Sequence, residues 1–368
     1  MSVRTFRVLI MLGAACPVWR GIALAGPLNP AAGPVAPTPG PEPRISVNAT
    51  NTPGDGSALF VISQPGSYYL AGNITGVAGK HGVKITAHGV TLDLNGFDLA
   101  GVAGMGAFDG VNVAGGSLRN ISVRNGSVRD WGGDGVDLAS AVNSRIESVR
   151  ASVCAGRGVA IGSYGAVIDC HAFANTTYGI ETGRGCEVRS CVATLNSSDG
   201  IRTNTECTVS DCRAMDNTRN GIFVFSGSIV SQCVASSNGQ IGIETTVDST
   251  VKGCTSNSNG YDGIRVDSNT IVADNLCVNN GTAGLFSGIF ANGSRCRVEG
   301  NHVTTTSTND GGISIAASGV GNVVIRNYVV GSGAINYTYP ATGNFIGTIA
   351  PGSNPMNMAE NANLNISY

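Results

Sequence analysis

"GIETGRGCEVRSCVATLNSSDGIRTNTECTVSDCRAMDN" (residues 179–217) reads as nearly two copies of one 21-residue unit. Gly-Ile or Gly-Val pairs begin at Gly158, Gly179, Gly200, Gly221, Gly242 and Gly263, each 21 residues after the one before. Looser copies extend the series to Gly82, Gly110 and Gly135 upstream and to Gly288 and Gly312 downstream, at intervals of 23 to 28 residues. Within one copy Ile180, Thr182, Cys186, Val188, Cys191 and Ala193 fall mostly at two-residue steps with polar residues between them. This is strand alternation broken by corners, with no 3.6-residue period anywhere in the unit.

A unit this short cannot bury its own apolar face, so it must stack on its neighbours. Parallel stacking sets equivalent residues about 4.8 Å apart and turns every column of the repeat into a ladder. One ladder runs Asn175, Asn196, Asn217, Asn238, Asn259, Asn280. At a turn, its amides can bond to each other and to backbone that no strand covers. A second runs Cys170, Cys191, Cys212, Cys233, Cys254 and continues as Asn275, Asn301 and Asn327; Ala172, Ala193, Ala214 and Ala235 form a third. The expected fold is therefore all-β, a right-handed single-stranded parallel β-helix of about 11 rungs over residues 80–330, with residues 45–79 and 331–368 as caps.

The units "N-x-x-x-G-I-x-T…V-x-x-C-x-A" resemble the repeats of right-handed parallel β-helix proteins, the fold shared by pectate lyases, polygalacturonases and many secreted bacterial proteins. The segments "PGSYYLAGNITG" (65–76) and "GVTLDLNGFDLAG" (89–101) resemble the start of such bacterial proteins. The resemblance implies an extended surface for polysaccharide. It does not settle function, because one β-helix hosts lyases, hydrolases, isomerases, adhesins and scaffolds.

Composition narrows the field. The 368 residues include 53 glycines, only 12% are charged, and the net charge of -2 offers no basic field for nucleic acid. MSVRTFR followed by VLIMLGAAC reads as the start of an export signal over residues 1–25, with a cleavage site at Ala23-Leu24-Ala25. The proline-rich stretch 26–44 then reads as a tether, and no later run is long enough to span a bilayer. A secreted, periplasmic or cell-surface protein is expected. Its eleven cysteines read as inward small thiols interchangeable with Asn rather than as disulfides or zinc ligands, since no C-x-x-C occurs and the histidines share no column.

The residue after each Gly-Ile/Val points outward. In order these are Asn112, Asp137, Ala160, Glu181, Arg202, Phe223, Glu244, Arg265, Phe290 and Ser314. Glu-Arg-Phe occurs twice, 63 residues apart, and Asp199 and Asp262 precede the Gly of the two Arg rungs. Exposed Phe223 and Phe290 can lie against sugar faces, while Glu and Arg bond hydroxyls or uronate carboxylates. Glu and Arg on adjacent rungs would also neutralise each other.

Catalysis would fall to Glu181, Asp199, Arg202, Glu244, Asp262 and Arg265. A lyase needs a base plus a cation or Ca²⁺ for the developing charge, but a Glu beside Arg holds the Arg protonated. An inverting hydrolase needs two carboxyl groups about 6.5–9.5 Å apart, and Glu181 with Asp199 lies at about 10 Å. "SDGI" (198–201) is similar to the polygalacturonase N-T-D-G segment, but the Asp-Asp pair, Gly-His-Gly and Arg-Ile-Lys of that family are absent. A second cluster is Asp109, Asp134 and Asp137 with Arg129 and Trp131, where Asp137 and Trp131 would bind substrate. The expectation is recognition or processing of an acidic polysaccharide. The alternatives are a non-catalytic surface scaffold or adhesin and, more remotely, a periplasmic metal-handling protein using an accessible cysteine column.

Overall fold

The computed structural model describes residues 44–305, 311–331, 337–340, 343–351 and 365–367. The expected export signal and nearly all of the proline-rich tether lie outside the described residues.

Every strand pairing between rungs is parallel. Thirteen strands stack into one sheet, from Ala58–Ile62 through Ile180–Thr182, Ile201–Thr203 and Ile222–Val224 to Tyr337–Thr338. The second and third strands of the rungs form a 26-stranded sheet, which is continuous because Ser122–Arg129 and Arg145–Ser152 run through their corner without a break. The solenoid thus has thirteen turns, not eleven. The Ala58–Ile62 and Tyr337–Thr338 turns were invisible to the glycine count because neither carries a Gly-Ile/Val pair.

That glycine is required by close approach. A Cβ at Gly179 would lie 2.6 Å from Asn196 Nδ2 and 2.6 Å from the Gly200 carbonyl oxygen of the next rung. The first and last described strands of this sheet each pair on one side only. Inside, Ile180, Ile201, Ile222, Ile243 and Ile264 stack with no exposure, facing the Val188 and Ala193 ladders. Each buried Ile contributes about 1.5–3 kcal/mol.

In the regular rungs each corner is made by one residue in the left-handed region followed by a buried polar or thiol side chain. Ser190 (φ 55°) precedes Cys191, Leu195 (φ 59°) precedes Asn196, and Glu206 (φ 60°) precedes Cys207. The corner turns the next N–H away from the strand ladder, and the side chain one rung on supplies an acceptor. Asn175 N donates to Asn196 Oδ1 (3.1 Å), Cys191 N to Cys212 Sγ (3.4 Å) and Cys207 N to Ser228 Oγ (3.1 Å). The same side chains donate backwards, Asn196 Nδ2 to Ala172 O (3.2 Å) and Cys191 Sγ to Val167 O (3.4 Å). Cysteine here is a weak copy of asparagine rather than an apolar filler, which explains why Cys254 passes its N–H to Asn275 Oδ1 (2.9 Å) as the ladder changes residue type.

All ten described cysteines are buried and free. A metal-handling column needs accessible thiolates, so that alternative loses its basis.

Candidate functional site

The outward ladder of the thirteen-stranded sheet is continuous in register: Asn112, Asp137, Ala160, Glu181, Arg202, Phe223, Glu244, Arg265, Phe290, Ser314. Beside it runs a second column, the residue before each glycine, which includes Asp134, Arg157, Tyr178, Asp199, Asn220 and Asp262. The two columns together build the site.

Its most concentrated part centres on Arg157. The guanidinium bonds Asp134 Oδ2 (2.6 Å), Asp137 Oδ1 (3.3 Å) and Glu181 Oε2 (2.7 Å). Asp137 and Glu181 sit one rung either side of Ala160. The short alanine leaves room for the arginine head to reach both. Burial opposes the Arg157 charge, but the bonds from Asp134 and Glu181 and the field of Asp137 hold its pKa above the ordinary arginine value. Burial raises the pKa of Asp137, assisted by the charges of Asp134 and Asp109 and opposed by Arg157 and the Ala139 N–H.

Both of the bonds made by Asp137 end on Oδ1, from Ala139 N (3.0 Å) and from Arg157, and the Glu181 bond uses only Oε2. Each carboxyl group keeps one oxygen without a partner among the described residues. Because both accept from the same guanidinium, the two carboxyl groups come within about 8 Å of each other, with the Arg157 head bridging them. A cavity of about 200 Å³ lined by Arg157, Glu181, Ala139, Gly162, Ser163 and Gly183 opens beside Glu181, and Asp137 does not line it.

Farther along, Arg202 donates from one terminal nitrogen to Asp199 Oδ2 (3.1 Å) and lies 4.6 Å from the Phe223 ring centroid, with Tyr178 and Phe225 each at 5.3 Å. Arg265 repeats the arrangement, bonded to Asp262 Oδ2 (2.7 Å) and 5.5 Å from the Phe290 ring. Tyr261 and Phe286 stack at 4.3 Å on the same stretch. Glu244 is half-buried between Phe223 and Arg265 and accepts from Asn220 Nδ2 (2.8 Å). Burial raises its pKa against the pull of Arg265.

Several expectations change. Asp199 is 0% exposed, and its other oxygen holds the Asn220 N–H (3.1 Å); Asp262 does the same for Ser287 N (2.7 Å). Both are corner anchors that orient an arginine, out of reach of a substrate. The arginines bond these aspartates and Glu181 bonds Arg157, so among the described residues the ladder's Glu and Arg form no ion pair across rungs, although Arg265 attracts Glu244 through its charge. Trp131 is no sugar platform: it is 1% exposed, packed in the core with Nε1 donating to Leu99 O (3.0 Å). Arg129 lies on the other sheet with Asp98 and Asp130. Arg157 takes the place expected for it. The signal for Arg157 was in the sequence, as the occupant of the pre-glycine column between Asp134 and Tyr178.

Among the described residues no three His, Cys, Asp or Glu side chains are placed to hold a metal ion. Among the described residues no helix is long and apolar enough to cross a membrane.

A family model described as right handed beta helix region matches residues 200–347. No curated protein matches the chain by sequence. Among solved structures, the A-module of mannuronan C-5 epimerase AlgE6 of Azotobacter vinelandii is similar at 16% identity and a TM-score of 0.60, covering 88% of this chain and 88% of the module. The AlgE4 A-module of the same organism gives 17% identity and a TM-score of 0.51, covering 76% of this chain and 90% of the module. At these identities the likeness is one of fold: the chain is a right-handed parallel β-helix.

Proposed function

We propose that the outward ladder binds a polysaccharide chain lying along the solenoid axis, and that Asp137 and Glu181 hydrolyse it. The observation that carries this reading is the pair of carboxyl groups held by one guanidinium, each with an oxygen free to face a ligand. Modules of similar fold whose names mark them as acting on mannuronan support a polysaccharide as the ligand class.

The chemistry follows from the two environments. Asp137, whose burial favours the protonated form, delivers a proton from Oδ2 to the glycosidic oxygen as the C–O bond breaks. Glu181, oriented by the bond that Arg157 donates to its Oε2, takes a proton through its other oxygen from the water that attacks the anomeric carbon from the opposite side. The leaving sugar gains a hydroxyl and the anomeric centre inverts. A lyase fits less well, because the one cation at this point already faces three carboxylates and cannot neutralise a uronate. The export reading of residues 1–25 belongs to the proposal: the substrate would be met in the envelope or outside the cell.

The test is to incubate the protein with neutral and uronate polysaccharides, with and without Ca²⁺, and to follow reducing ends and the anomer first released. New reducing ends of inverted configuration are expected. Unsaturated products instead would replace hydrolysis by elimination, and glycan binding with no cleavage would reduce the face to recognition.

A further inference from the structure

We infer that the ladder holds two equivalent sugar subsites, centred on Arg202 and Arg265, that grip repeating units of an uncharged glycan. This rests on the polysaccharide reading above and names its substrate class.

The equivalence lies in a shared Asp–Arg–Phe core, to which the Arg202 copy adds the Tyr178 and Phe225 rings. Each arginine follows its Gly-Ile pair, is fixed by a fully or almost fully buried aspartate three residues earlier, and stacks on a phenylalanine one rung on. The aspartates in turn are fixed by a backbone N–H of the next rung. The arginine heads are therefore pre-positioned, and a sugar that binds them need not order a long side chain. Three rungs separate the two, about 14 Å along the axis. A regular polymer can then present the same group to both subsites at once.

The charge balance selects the class. Lys84 is matched by Asp55, Arg157 by Asp134, Asp137 and Glu181, Arg202 by Asp199, and Arg265 by Asp262, while Glu244 bonds only the neutral Asn220 side chain. No cation of the two columns carries uncompensated charge, so a polyanion finds no net attraction and meets Glu244 at the centre. Each guanidinium has five N–H donors and spends only one or two on its aspartate. The remainder suit sugar hydroxyls, with Phe223 and Phe290 against the apolar ring faces.

The experiment uses the full chain with neutral glucan, neutral galactomannan, polymannuronate and polygalacturonate, and with short oligosaccharides of any polymer that binds. Titration calorimetry is run at about 50 and 500 mM NaCl, since an uncharged ligand should lose less than about twofold over that range. Two short oligosaccharides are expected per chain, falling to one in Phe223→Ala and one in Phe290→Ala. For the long polymer either single variant should cost about tenfold or more, because two linked contacts become one. Circular dichroism melting checks that each variant is folded, and the paired change Asp199→Asn with Arg202→Gln removes one clamp without leaving a buried charge. Binding of the uronates alone, weakened by salt, would overturn the inference and leave the polysaccharide reading standing, as would one oligosaccharide per chain abolished by a single variant. Absence of binding to every glycan would overturn both.

Discussion

The Oδ1 atom of Asn196 accepts two hydrogen bonds from Asn175, one from its backbone N–H at 3.1 Å and one from its side-chain amide at 3.0 Å. Asn217 does the same for Asn196, and the pattern runs on to Asn280. Replacing Asn217 by Ala strands two donors of the fully buried Asn196 and the Ala193 carbonyl behind them. The expected cost is about 2–4 kcal/mol. Urea denaturation followed by circular dichroism measures it, and an unchanged midpoint would show that water takes over the ladder's bonds.

The cysteine ladder makes the opposite prediction. At Cys254 the thiol reaches back to Val230 O at 3.7 Å and lies nearer Lys252 O at 3.4 Å, whereas an amide in the same corner makes the backward bond at about normal length. Cys254→Asn should leave stability unchanged or raise it by about 1 kcal/mol. Cys254→Leu, which adds volume and no donor, should lower it by about 1–3 kcal/mol. Thiol titration under native conditions should label none of the ten described cysteines, and should label them once the chain is unfolded.

The fold was legible because stacking copies each constraint into a column. Gly179 and Gly200 announce the same close approach, and the Asn and Cys columns announce two corners. What the repeat concealed was the conformation that makes those corners: Leu195 at φ 59° and Val153 at φ 55° are residue types rarely found there. The site was half legible. Its outward ladder followed directly from the residue after Gly-Ile, and Asp137, Glu181, Phe223 and Phe290 stand on it. Asp199 and Asp262 looked functional because they recur, but a residue that repeats with the rung answers first to the rung. Arg157 and Ala160 lie outside the Glu-Arg-Phe repeat, and their combination on one rung is what gathers Asp134, Asp137 and Glu181.

Glu244 gives a pH signature. Its folded pKa is raised above the ordinary glutamate value by burial, so the native state holds the proton more tightly than the unfolded chain. The stability this contributes is fully present below the unfolded pKa and is lost as pH rises through the folded one. Glu244→Gln keeps an oxygen for Asn220 and removes the titration. The variant should match the parent in the acid range and exceed it at neutral pH, in paired denaturation curves from pH 3 to 8. A constant difference across that range would assign the effect to packing.

Trp131 separates core from surface. Truncation to Ala should cost about 3–5 kcal/mol, because it empties the space between Gly76, Gly82 and Gly110 and removes the Nε1 bond to Leu99 O. Its fluorescence should not respond to a bound glycan. A spectral shift on binding would return it to the site.

The sharpest test sets Asp137 and Glu181 against Asp199. All three carboxylates bond an arginine of the same face, and only the first two keep an oxygen toward the ladder surface. Asp137→Asn and Glu181→Gln leave Arg157 bonded to Asp134, so stability should move by less than about 1 kcal/mol. Turnover should fall about 10²–10⁴-fold, the ordinary worth of a general acid or base, with KM little changed. Asp199→Asn weakens the Arg202 pair and places a neutral amide where a buried carboxylate met the Asn220 N–H. It should cost about 1–3 kcal/mol and leave the turnover of the folded fraction near that of the parent. Measuring melting temperature and kcat on the same three preparations decides it: if Asp199→Asn abolishes turnover while Asp137→Asn does not, the chemistry belongs to the Arg202 clamp and the Arg157 centre is structural.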